Sequence, residues 1–80
     1  MEYDKDKVDE YTLALLYLVT YERHEGIGAR AWKGFDWATL NRPHEKEYIS
    51  NPVGKAKSIY MGEKGLKKAA ELFKKLFATA

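Results

Sequence analysis

Apolar residues recur every three or four positions in two stretches of this chain, one near each end. In the first, Val8, Tyr11, Leu15, Leu18 and Val19 fall on one helical face, the spacing of an amphipathic helix. Leu13, Leu16 and Tyr17 lie on another face, so residues 11–21 are apolar on most sides. Such a helix is either buried centrally or shared with a partner. Asp4 and Asp6 stand where a first helix needs a cap and negative charge, and the helix is expected to end near residues 22–25. Two readings of the surplus apolar surface stay open. It fills the core, or Leu13, Tyr17 and Tyr21 meet a second copy or another protein. In the second stretch, Leu66, Ala69, Ala70, Phe73, Leu76 and Phe77 form a stripe, with Lys64, Lys67, Lys68, Glu71, Lys74 and Lys75 outside it. This predicts a helix from about Glu63 that packs on the first, with Phe73 central to the contact.

The middle of the chain reads differently. Gly26 and Gly28 break the periodicity and predict a flexible loop over residues 26–29. Asp36 can cap a helix opening at Trp37, with Phe35 in the staple position before it, and Trp37 is expected in the core. Pro43 would cost that helix about 3 kcal/mol in its interior. The helix at residues 36–47 is therefore kinked, or split into two pieces with Asn41 capping the second. Tyr48 and Ile49 then predict an edge strand, and Asn51, Pro52 and Gly54 supply turn chemistry. Ile59 and Met61 alternate with Ser58 and Tyr60, as a half-buried strand requires. Lys55 and Lys57 sit at the tip of this hairpin. Together these elements predict one α+β domain over residues 1–80. It is a small winged-helix-like domain, with helices packed around a short two-stranded antiparallel hairpin.

Composition narrows the chemistry. Eighty residues support one small core, and 45% hydrophobic with 32% charged residues is ordinary for a globular domain. The absence of cysteine removes disulfides, cysteine-ligated zinc and a thiol nucleophile, and a cytoplasmic location is expected. Residues 1–7 alternate Asp with Lys and do not read as a targeting segment. The longest apolar run, residues 13–19, is far short of the ~20 needed to cross a membrane. Charge is uneven: residues 1–25 carry −4 and residues 26–80 carry +6. Each helix can have a solvated face of its own sign, or the asymmetry can steer an anionic partner.

Catalysis finds no support. His24 and His44 have no ligand spacing between them, and there is no phosphate-cradling glycine loop followed by Lys-Ser or Lys-Thr. No catalytic, metal or cofactor residue is expected, and the chain is not expected to be an enzyme.

Ala31-Trp32-Lys33-Gly34-Phe35-Asp36-Trp37, then His44-Glu45-Lys46, Tyr48-Ile49-Ser50 and Pro52-Val53-Gly54-Lys55-Ala56-Lys57-Ser58, resemble a family of short bacterial proteins classed as a domain of unknown function. The likeness runs from about Val8 to Phe77 and implies no known chemistry. More loosely, residues 44–66 are similar to the recognition helix, basic wing and closing helix of winged-helix regulators. Those proteins commonly carry leucine, glycine and threonine where this chain has Pro43, Glu47 and Gly62. A left-handed helix cap on Glu47 instead of glycine would cost about 1 kcal/mol. A distinct helix before the recognition helix is missing, since residues 26–34 do not read as one.

The expected role is non-enzymatic binding, through a protein partner or a homodimer formed by the first helix. Trp32, Lys33, Arg42, Lys46, Lys55 and Lys57 are the candidate contacts. The alternative is a DNA-binding regulator using the Lys55/Lys57 wing. Against it, Asp36, Glu45 and Glu47 leave the candidate recognition helix near neutral. The pI of 8.8 also falls below the ~9 typical of a nucleic-acid footprint. No membrane contact is expected.

Overall fold

Asp4 opens the first helix, α1 (Lys5–Leu18), by accepting the Lys7 backbone N–H at 3.1 Å. In the computed structural model, which describes residues 1–24, 26–35, 37–54 and 57–79, that helix stops earlier than its apolar periodicity predicts. The chain turns at Val19 and continues as strand β1 (Thr20–His24). No glycine or proline marks this end, and Arg23 covers it. Its guanidinium folds back over the Tyr17 ring at 4.4 Å and donates to the Tyr17 carbonyl and to the Thr20 hydroxyl. Thr20 itself donates to the Tyr17 carbonyl at 2.8 Å. Carbonyls left over at the end of a helix need such donors.

Residues 26–29, expected as a flexible loop, are a turn and the start of strand β2 (Gly28–Trp32). Gly28 is required there. Its φ is +151°, and a Cβ would lie 2.0 Å from the Met61 carbonyl oxygen. Strand β3 (Ser58–Gly62) pairs with β2, and the sheet is antiparallel throughout in the order β1-β2-β3. The register sets Tyr21 opposite Arg30 and Arg30 opposite Tyr60. The expected α+β class holds, with a correction to the ribbon: three strands replace two, and Tyr48 and Ile49 form no strand. A trace of that expected pairing survives at the outer edge of β3, where the Ser50 N–H donates to the Tyr60 carbonyl at 2.7 Å. The Tyr60 N–H in turn donates to the Ser50 hydroxyl at 2.8 Å.

Helix α2 (Trp37–Glu45) is one continuous piece with Pro43 inside it, so Asn41 caps no second helix and instead donates to Glu45 at 3.0 Å. The proposed cap on Asp36 lies outside the described residues. At the other end, the Glu47 N–H reaches the His44 carbonyl and the Tyr48 N–H reaches the Pro43 carbonyl. This is the Schellman closure, with Glu47 in the left-handed position at φ +64°. The chain adopts the cap that glycine usually provides.

Helix α3 (Glu63–Phe77) follows β3 directly. Its buried line is Gly65, Ala69 and Leu72, one step away from the line through Phe73. Phe73 lies at the margin instead, against Tyr17 and Phe77. α1 and α3 share the most extensive packing between elements, as expected of the two amphipathic stretches. Both also pack on the inner sheet face, where Ala29, Ala31, Ile59 and Met61 are buried with Leu13, Leu16, Leu40 and Ile49. Gly65 brings α3 against the Tyr48 backbone so closely that a Cβ would sit 1.7 Å from the Tyr48 carbonyl oxygen.

Among the described residues, one charged side chain, Asp9, is buried in this frame. The Asp9 carboxylate on α1 accepts the Arg42 guanidinium of α2 at 2.6 Å, with Lys46 at 3.8 Å. Its side chain is 8% exposed, so the pair ties α1 to α2 in a poorly solvated place.

Three outcomes test this account. Glu47→Gly relieves the left-handed strain and stabilises by about 1 kcal/mol, a rise in Tm of about 4–8 °C in a thermal melt. Gly65→Ala, which on helix propensity alone would gain about 1 kcal/mol, instead loses about 1–3 kcal/mol in urea unfolding through overpacking on Tyr48. Arg42→Ala strands the Asp9 charge and loses about 3 kcal/mol, while Lys46→Ala loses under about 1 kcal/mol.

Candidate partner-contact surfaces

Alternation along β2 decides which side chains reach the surface. Ala29 and Ala31 point to the core, so Arg30 and Trp32 point away from it. Register adds Tyr21 from β1 and Tyr60 from β3 to the same outer face. Trp32 is 52% exposed, and its ring stacks on Tyr21 with centroids 4.6 Å apart and planes 22° from parallel. Arg30 lies 3.5 Å from Glu22, and both side chains are at least half exposed. Of the candidate contacts, Trp32 is therefore where a partner can reach it.

The other candidates do not all join it in one patch. Lys33 donates its ammonium to the Pro52 carbonyl at 2.6 Å and the Gly54 carbonyl at 3.2 Å, holding the following loop to the sheet. Its backbone N–H also meets the Lys57 carbonyl, so Lys33 and the exposed Lys57 border the Trp32 end of the sheet. Arg42 and Lys46 gather instead around Asp9. Arg42, which a duplex-reading α2 would need, is thus engaged by α1, and Lys46 approaches the same carboxylate from a half-exposed position. Lys55 lies outside the described residues. Trp37, expected in the core, is 63% exposed at the start of α2.

The first helix presents a second surface. Leu13 is in the core, and Tyr17 packs on Phe73 beneath Arg23. Tyr21 belongs to the sheet, so the shared interface expected from Leu13, Tyr17 and Tyr21 does not exist as drawn. Exposure falls on the other face of α1. Leu18 is 61% and Tyr11 41% exposed, with half-buried Val8 and Leu15 on the same stripe and Phe77 beside Tyr11. The spacing of these residues was legible. Which of the two apolar faces turns inward depends on tertiary packing.

A cleft of about 310 Å³ between α1, α2 and α3 is lined by Asp6, Asp9, Lys46, Lys68, Glu71 and Lys75. Its lining, which also includes Glu10, mixes acids with lysines, Lys46 lying 3.8 Å from Asp9 and Lys68 3.9 Å from Glu71, so it presents no field of one sign. On the surface of α3, Glu63 holds the Lys67 ammonium above the usual lysine pKa through its hydrogen bond and charge. His44 sets Nδ1 3.1 Å from the Ile49 carbonyl, and His24 stands exposed at the end of β1. Among the described residues, no group of three His, Cys, Asp or Glu is placed to hold a metal ion. Among the same residues, no helix is long and apolar enough to cross a membrane.

Comparison with known proteins adds a family. The uncharacterized protein y4hR of Sinorhizobium fredii (strain NBRC 101917 / NGR234) is 47% identical over 77 residues, covering 96% of this chain and 97% of that protein. No solved structure matches. The profile of a domain of unknown function (DUF6429) matches residues 4–79. With nearly the whole length matched in both comparisons, the chain belongs to the DUF6429 family.

Proposed function

We propose that this chain is a non-enzymatic interaction domain that pairs with a second copy of itself along the outer stripe of α1. The observation that carries the reading is the exposure of Leu18 and Tyr11 on one helical face, with Leu15 between them. Anchors at this three- and four-residue spacing are what one helix offers another. A second copy supplies the same stripe, so a two-fold axis makes the contact self-complementary. The non-enzymatic part rests on the histidines, one occupied by a backbone carbonyl and the other standing apart at a strand end. The cysteine-free composition supports a reducing, cytoplasmic setting.

A seam of one helix is small, under about 1,200 Å² in total, and belongs with weak, reversible interfaces. Sedimentation velocity over a concentration series is expected to show a reversible monomer–dimer equilibrium. Leu18→Glu removes the dimer while leaving the melting temperature within a few degrees, because Leu18 contributes little to the core. A wild-type chain that stays monomeric throughout, or a Leu18→Glu chain that sediments as the wild type does, contradicts the reading.

A further inference from the structure

The sheet uses one face for the core and leaves the other to solvent, and that outer face is flat, aromatic and bordered by cations. Tyr60 lies low across β2, since its hydroxyl is only 2.9 Å from where a Cβ on Gly28 would stand. Gly28 and Gly62, paired with each other, raise no side chain there. At the other end, Trp32 is stacked on Tyr21 and still half exposed. A tryptophan held in one orientation by a neighbour, with much of its ring open to water, is a pre-ordered stacking surface.

Charge selects what would stack. Around this face stand Arg30, Lys33 and Lys57, with Glu22 the only acid among the described residues of the three strands. Glu22 answers Arg30 at 3.5 Å, a long and exposed contact. Lys33 spends its hydrogen bonds on two neutral carbonyls, so its positive charge is kept. Among the described residues, no acid lies within ion-pair distance of Lys33 or Lys57. Those two lysines flank the end of the ladder that carries Trp32.

From this arrangement we infer that the outer sheet face binds single-stranded nucleic acid, with a base on Trp32 and its phosphates toward Lys33 and Lys57. Planar rings joined by negative charges match planar rings beside positive ones. A duplex hides its ring faces in its own stack and cannot use Trp32 in this way. Stacking is indifferent to the sugar, so DNA and RNA single strands are both accepted.

The test uses the full chain carrying Trp37→Phe, which makes Trp32 the sole tryptophan. Single strands of about 12 nucleotides, oligo(dT) and oligo(rU), are titrated at about 50 mM salt against a duplex of equal length. The expected result is quenching of Trp32 emission by both single strands, weakened when salt is raised to about 200 mM. By anisotropy of a labelled strand, Trp32→Ala lowers affinity about tenfold or more. Lys57→Glu, a surface change, lowers it with the circular dichroism spectrum unaltered. Absence of single-strand binding at low salt, preference for the duplex, or affinity unmoved in both variants overturns the inference. So does burial of Trp32 with rising protein concentration alone, which would assign the face to a second copy.

Discussion

Strand β2 is the constraint on which the other elements depend. Of the three described strands it is the one with neighbours on both sides, and its inner residues, Ala29 and Ala31, are fully buried. Small side chains there let α1 and α3 approach the sheet closely, which their own Ala14 and Ala69 reciprocate. Interiors pack at near-crystalline density, so a larger residue at any of these four positions would push a helix away. Gly28 extends the same economy to the backbone, where only hydrogen fits against the Met61 carbonyl.

That strand was the least legible part of the sequence. Gly26 and Gly28 are loop signals when taken locally, and nothing nearby says that one of them is demanded by a carbonyl from residue 61. The alternation of Ala29 and Ala31 with Arg30 and Trp32 was present, but alanine carries too little hydrophobicity to announce a strand. The end of α1 was misjudged for a related reason. Val19, Thr20 and Tyr21 continue a helical spacing and also suit a strand, and Arg23, which covers the helix end, does so from the next element. By contrast, the Asp4 cap, the alternation of β3 and the long stripe of α3 are local signals. These three signals survived, with the buried line of α3 rotated by one residue, from Phe73 to Leu72.

The candidate contacts divide along the same line. Trp32 was picked out because tryptophan is enriched at interface anchors, but type alone did not separate it from Trp37, which was expected in the core and is exposed. Basic residues could not be sorted that way. Lys33 became a tether, Arg42 half of an internal ion pair, and Lys57 a surface charge, and only the fold decides among such fates. Tyr21 and Tyr60 join Trp32 through strand register alone, which residue spacing does not encode when the strands are unrecognised.

Both rims of the sheet are stopped. Ser50 clips the outer backbone groups of Tyr60 on β3. On β1, the pairing is irregular between Tyr21 and His24, with Glu22 at φ +48° and charged residues alongside. An extending chain therefore finds no straight row of vacant amides to zip onto. Both margins thus carry features that discourage the edge-to-edge pairing to which an open sheet is liable.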